Sequence, residues 1–236
     1  MKQKAAFFLI AFFLILFSTN FALPVGATVS AGTPVTLGTI PAGTASAWGG
    51  NITRVNLTIN SSTLHWQGFY GTITASLRLA SGSGSNISTL KTWNVNTLTG
   101  QVYVSQSSNV DFTVLNSTPT NLSTLDSVFS FLLNSNDAAV NTGTDNANPQ
   151  FYIGQYVVNP NTRPMITTYD NSSSPVWKEV VLRHANTGSP EDFVFVGIIN
   201  SSGVAYSGEP AHFQIIVPEN AVDSVVTTYY FYGEVQ

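Results

Sequence analysis

Apolar and polar residues alternate along most of this chain, which is the period of a strand with one buried face. From Asn51 to Asn60, Val55, Leu57 and Ile59 alternate with Arg54, Asn56, Thr58 and Asn60, predicting a strand with the first set in a core. From Thr72 to Leu79 the inward set is Ile73, Ala75, Leu77 and Leu79. Val102 and Val104, Phe112 and Val114, and Phe213, Ile215 and Val217 repeat the pattern. The closing strand offers Val225, Tyr229, Phe231 and Val235 to one face and Val226, Tyr230 and Tyr232 to the other, so both faces should be covered. Continuous apolar runs at 151–158, 176–182 and 193–199 predict strands buried on both sides. Clusters of Gly, Pro, Asn and Ser punctuate the runs. The pattern predicts a mainly β fold, an antiparallel β-sandwich or jelly roll over residues 48–236.

One stretch departs from period two. Leu122, Leu125, Val128, Phe129, Leu132 and Leu133 fall at helical spacing, and Ser123 stands three residues before Asp126, near a capping box. This predicts a single helix near 122–134, with Asp126 favoured by the dipole at its N-terminus. The following stretch, 134–150, is polar and aperiodic and reads as a long mobile loop. Residues 28–47 are small and nearly uncharged, with Val29, Val35, Leu37 and Ile40 as the large apolar groups. They read either as a first strand with a lead-in or as an extended segment able to add a strand to a neighbouring subunit.

The start of the chain fixes a compartment. Met1-Lys2-Gln3-Lys4, the apolar run from Ala5 to Phe17 and then Leu23-Pro24-Val25-Gly26-Ala27 have the layout of a secretory signal peptide. Val25 and Ala27 occupy the positions that signal peptidase reads, so residues 1–27 are read as leader with the cut after Ala27. An uncleaved anchor is the alternative, but the apolar run is short for a span, and no later stretch approaches the roughly 20 residues needed. Acceptor sequons follow at Asn51, Asn56, Asn60, Asn86, Asn116, Asn121, Asn171 and Asn200, consistent with an extracellular protein carrying N-linked glycans. Charged residues are 8 %, against roughly 25 % in ordinary domains, so solubility rests on Ser, Thr, Asn, Gln and attached sugar. A net charge of −4 argues against nucleic acid as partner. The absence of cysteine removes disulfides and thiolate chemistry, and with dense sequons it fits an archaeal exported protein best.

Catalytic motifs are missing: there is no nucleophile elbow, zincin helix or phosphate loop. His65, His184 and His212 lie too far apart in sequence to form a local metal site. Glycosidase chemistry needs two facing carboxylates, and none of Asp111, Asp126, Asp170, Glu179, Asp192 and Glu209 forms an evident pair. Glu179, Glu191 and Asp192 flank strands and are expected in solvent. Asp137 and Asp145, in Asx-rich surroundings, are weak calcium candidates, without the EF-hand order. Trp66, Phe69, Tyr70, Trp93, Tyr103, Tyr229, Tyr230 and Tyr232 are candidates for core or for a sugar-stacking surface.

At Trp66-Gln67-Gly68-Phe69-Tyr70-Gly71 the chain resembles a family of archaeal secreted surface proteins with a W-x-G-[FY]-Y-G motif. Gly100-Gln101-Val102-Tyr103-Val104-Ser105, Thr124-Leu125-Asp126-Ser127 and Thr228-Tyr229-Tyr230-Phe231-Tyr232-Gly233-Glu234 extend the likeness. The resemblance implies an exported β-rich envelope protein and carries no catalytic residue. Gly68 and Gly71, bracketing two aromatics, predict a bulge or a close approach of two strands.

These readings combine into a non-enzymatic, N-glycosylated structural or adhesive protein of the cell exterior. It would be a subunit of a filament or surface layer, built by β-strand contacts with itself or with other surface proteins. The alternative is a secreted carbohydrate-binding module or hydrolase. Intact mass spectrometry of the native protein should find an N-terminus at Thr28 and heterogeneous added mass from sugar. An unmodified mass for residues 1–236 would contradict both.

Overall fold

The computed structural model describes residues 23–35, 42–46, 48–83, 86–95, 97–132, 135–219 and 226–235. Most of the expected leader, Leu37 and Ile40, Val225, and residues 133–134 of the expected helix lie outside them. The strands in chain order are β1 (Val25–Gly26), β2 (Trp66–Gly71), β3 (Leu77–Ser83), β4 (Asn86–Trp93) and β5 (Gly100–Ser105). Helices α1 (Leu122–Val128) and α2 (Ala139–Thr142) follow, then β6 (Gly143–Thr144), β7 (Phe151–Ile153), β8 (Tyr156–Val158) and β9 (Met165–Thr168). The chain closes with β10 (Trp177–Arg183), β11 (Phe193–Ile198), β12 (Gly203–Val204), β13 (Pro210–Ala211), β14 (Phe213–Pro218) and β15 (Tyr230–Val235).

The fold is mainly β and antiparallel, as the alternation predicts. Its centre is a seven-stranded sheet in the order β1-β15-β5-β11-β10-β9-β6. Two of the continuous apolar runs, 176–182 and 193–199, supply its middle strands β10 and β11, because only a strand covered on both sides tolerates apolar residues at successive positions. On one face Val104, Ile166, Val181, Phe193 and Phe195 pack with Leu122, Leu125 and Phe129 of the α1 region and with Ile215 and Val217 of β14. On the other, Tyr103, Val180, Leu182, Val194 and Val196 pack with Phe112 and Leu115 and with the β7–β8 hairpin through Phe151, Ile153 and Val158. The second layer beyond β14 is thin: β14 pairs with β2, while among the described residues β3 and β4 pair only with each other.

The layers are tied by buried polar groups. Glu179 on β10 is 1 % exposed and its Oε2 accepts from the Ile216 N–H of β14 at 2.7 Å. Across from it on β11, a Cβ on Gly197 would lie 2.7 Å from Ile215 Cγ2, so β14 packs on bare backbone there. Burial pushes the Glu179 carboxyl up to about 8. On the opposite face, Tyr103 donates to Glu234 Oε2 at 2.9 Å, and Glu234 Oε1 accepts from Gly154 N–H at 2.9 Å. Arg183 and Asp192 form a buried ion pair at 3.0 Å, with the Arg183 guanidinium 5.0 Å from the centre of the Phe193 ring. The expectation that Glu179 and Asp192 are solvated is therefore wrong: both lie in the interior, and only Glu191 is exposed.

Several sequence expectations give way to tertiary structure. Residues 51–60 form no strand, and Val55, Leu57 and Ile59 are exposed rather than core. Strand pairing skips 72–76, so β2 ends at Gly71 and β3 begins at Leu77, with Leu77 and Leu79 exposed. Phe112 lies in a turn, not a strand, although it is buried. The run 151–158 is a hairpin turning at Gly154 (φ 55°), not one strand. Pairing of β2 with β14 is unbroken from Trp66 to Gly71, which leaves no bulge in the aromatic motif, and a Cβ on Gly68 would meet nothing within 4 Å.

Helix α1 starts at Leu122, where its apolar spacing begins, and stops sooner than that spacing suggests. Asn121, not Ser123, is its cap, accepting from Thr124 N–H at 2.7 Å. It ends because Ser130 turns left-handed (φ 57°). Ser130 N–H then bonds to Ser127 O and Phe131 N–H to Asp126 O, the paired bonds of a Schellman stop. Asp126 does not serve its own helix. It is buried and accepts from Ala139 N–H at 2.6 Å and Val140 N–H at 3.2 Å, capping α2 instead. The stretch expected to be a mobile loop is thus pinned. Within it Asn148 is buried, accepting from Thr162 and Arg163 N–H and donating to Pro149 and Asn159 O.

The raised Glu179 carboxyl sets a pH dependence. The ordinary value is 4.5 and the folded one about 8, so between them the folded state holds a proton that the unfolded state releases. Its stabilisation is complete below pH 4.5 and falls through the window to about 8, by at most about 1.4 kcal/mol per pH unit. Urea unfolding of Glu179→Gln across that range should lack this slope. A wild-type protein no less stable at the alkaline end than at the acid end would contradict the assignment.

Candidate functional site

Two features stand apart from the closed core: the exposed apolar segment 48–64 and the sheet margin at β15, where the ladder ends on the two residues of β1. Residues 48–64 are exposed throughout. Ile52, Leu57, Ile59 and Leu64 retain 101 %, 78 %, 83 % and 86 % of their accessible surface, and Trp48 and Val55 are also open. Large apolar side chains at alternate positions normally face a core; here none has one. Val29 and Val35 are exposed as well, without strand structure around them.

Among the described residues, the segment is fastened at its C-terminal end. Asp137 accepts from Thr63 Oγ1 at 2.5 Å, bonds to His65 Nδ1 at 3.0 Å and accepts from Ser135 Oγ. Trp66 Nε1 donates to Asp137 O at 2.7 Å, and the His65 ring stacks on Phe131 at 4.6 Å. The bonds from Ser135 and Thr63, with His65 beside them, hold the Asp137 carboxyl down at about 2. The serine bonds to the aspartate and not to the histidine, so the trio lacks the relay order of a nucleophilic triad. It works as a latch between the start of β2 and the turn before α2. Neither Thr63 nor Ser135 stands out in the sequence, because their partner lies more than 70 residues away for one of them.

At the other feature, β15 pairs with β5 on one side and with Val25 and Gly26 on the other. Pro24 is buried beside them, and Ala27 N–H donates to Phe231 O at 2.9 Å. Phe69 of β2 meets Phe231 edge-on at 5.3 Å and Tyr229 at 6.0 Å. Trp66, Phe69, Phe213, Ile216, Tyr229 and Phe231 are only partly buried where they border the core. Tyr232 faces the opposite side, its hydroxyl donating to Ser107 O at 3.0 Å and its ring 5.3 Å from Phe112, so the strand is packed on both faces.

The remaining candidates are dispersed. Asn51, Asn56, Asn60, Asn86, Asn121 and Asn171 are exposed, and Asn116 and Asn200 half-buried. Asp145, the second calcium candidate, accepts from Leu122 N–H at 3.0 Å and so caps α1 alongside Asn121. Among the described residues no three His, Asp or Glu side chains gather as a metal site. His212 accepts from Ile73 N–H at 2.9 Å, and His184 bonds to Glu191 O, both backbone braces. Asp111 and Asp170 close local turns with Thr113 and with Ser172 and Ser174. Glu209 accepts from Tyr70 OH at 3.0 Å, and Tyr70 meets the exposed Tyr206 edge-on at 5.3 Å. Tyr103 is core, while Trp93 and Tyr230 are exposed. Among the described residues no helix is long and apolar enough to cross a membrane.

No protein-family model, curated protein or solved structure matches the chain.

Proposed function

We propose that this chain is an exported, N-glycosylated structural subunit of the cell exterior, assembled through β-strand contacts into a filament or surface layer. The observation that carries the reading is the stretch 51–63, exposed, outside any helix or strand, alternately apolar over 54–60 and without a core partner among the described residues. A soluble monomer gains nothing from Val55, Leu57 and Ile59 in water. In an assembly each contributes roughly 1.5–3 kcal/mol on burial, before any main-chain bonds. The same alternation turns Asn56 and Asn60 to the opposite side, where sugar is tolerated. The exposed hairpin β3–β4, with Leu77, Leu79, Leu90 and Trp93 open, adds a second surface of the same kind, since an isolated hairpin is marginal by itself.

In the donor segment read from sequence, 28–47, Val29 and Val35 are open but set no strand period, and Leu37 and Ile40 lie outside the described residues. A carbohydrate-binding role has one observation in its favour, the exposed Tyr70–Tyr206 pair with Glu209 beside it.

Negative-stain electron microscopy and sedimentation of the mature protein should find polymers, lost on deleting residues 49–61 and kept on substituting Tyr206→Ala. Monomers under all conditions, with glycan binding that Tyr206→Ala abolishes, would favour the carbohydrate reading and overturn the structural one.

A further inference from the structure

Resting on the reading above, we infer that the β15 edge is the acceptor site for the 51–59 segment of a second copy of this chain, and that the tail of the leader holds that edge until it is removed. The residues that occupy the edge, Pro24 to Ala27, are the ones whose pattern marks them for signal peptidase. A cut after Ala27 takes away the whole of β1. In an antiparallel ladder alternate residues face alternate neighbours. Phe231, whose carbonyl takes the Ala27 N–H, therefore turns its main-chain groups outward, and so does Gly233 opposite Val25. Cleavage leaves these groups unpaired on a strand flanked by half-covered aromatics.

The vacancy suits a strand with apolar side chains on one face only. Phe231, Tyr229 and Phe69 border the core on the β14–β2 side of the sheet, and a strand laid beside β15 would turn alternate residues toward them. Val55, Leu57 and Ile59 have that spacing, with Asn56, Thr58 and Asn60 left for solvent and sugar. Charge does not oppose the pairing: in 51–60 Arg54 is the one charged residue, and the edge carries Glu234, which is buried and bonded inward to Tyr103 and Gly154. The occupant is a second copy because each mature chain brings one such segment and one such edge, which makes a head-to-tail contact that repeats.

Processing then controls assembly: a chain that keeps its leader tail fills its own edge and stays single. The test compares the chain from Thr28, the chain from Leu23 and the Thr28 chain with Leu57→Asp, each by sedimentation and by hydrogen exchange at the Phe231 and Gly233 amides. The Thr28 chain should polymerise with both amides protected. The Leu23 chain should remain monomeric with both protected. Leu57→Asp should leave a folded monomer whose two amides lose protection while those of β11 keep it. Polymers of the Thr28 chain with unprotected edge amides, or equal polymerisation of the Leu23 chain, would overturn the acceptor assignment and leave the structural role standing. A Thr28 monomer whose edge is protected until Leu57→Asp opens it would mean that the chain's own segment fills the slot, overturning the second copy. A Thr28 monomer with an open edge would overturn both readings.

Discussion

A β-sheet satisfies its own main chain everywhere except at its two outer strands, and it buries apolar side chains only where another layer lies across it. In this molecule both conditions are met at the middle of the sheet and relaxed at one margin. Strands β5, β11 and β10 are paired on both sides and covered on both faces, so their interior is closed to water and to change. Toward β15 the cover thins to β2 and part of β14, and the ladder ends on two residues of the expected leader. Strand edges that can be extended are what monomeric proteins normally shield. Here the shield is the two-residue strand Val25–Gly26, at the end of the proposed leader.

The buried polar groups follow the same geography. Glu179, Gln214 and Asp192 stitch layers where the sheet is thick: Gln214 donates to Thr168 and Tyr169 and accepts from Tyr206 N–H, bridging β14 to β9. Asp192 collects the Arg183 guanidinium and the Thr187 and Gly188 amides; burial works against its charge, and these bonds outweigh it and hold the carboxyl low. Breaking such a group strands its partners in a dry interior. The margin near β15 relies instead on Tyr103, Glu234 and aromatic edges, with Glu234 anchoring β15 to β5 and to the β7–β8 turn. That anchoring keeps the last strand in register whether or not its outer side is occupied.

The sheet was readable in the sequence because its signal is local. Val180-Val181-Leu182 and Phe193-Val194-Phe195-Val196 are apolar at successive positions, and that demands two covering layers wherever the strand lies. The second layer was not readable, since it depends on which segments return to the sheet. The period-two run at 51–60 is correct as a pattern and wrong as an internal strand, because periodicity states that a face needs covering without stating by what. Glu179 and Asp192 look solvated beside their strands until β14 and the 187–192 turn close over them. Helix α1 loses its last turn to a Ser130 stop that a left-handed glycine would have advertised and a serine does not. Of the candidate assembly site, the segment was visible as alternation; the edge was hidden, because it exists only where Val25 and Gly26 meet Tyr232 and Gly233, over 200 residues on.

The claim that organises these observations is that an alternately apolar segment completes a sheet edge in a neighbouring copy. Cryo-electron microscopy of assemblies formed by the native mature protein addresses it most directly. The account predicts a strand beside Phe231 to Val235 that traces to residues 51–59 of the adjoining subunit, with sugar density at Asn56 or Asn60 on its outer side. A β15 edge bare of any strand, or one filled by the same chain's own segment, would contradict it.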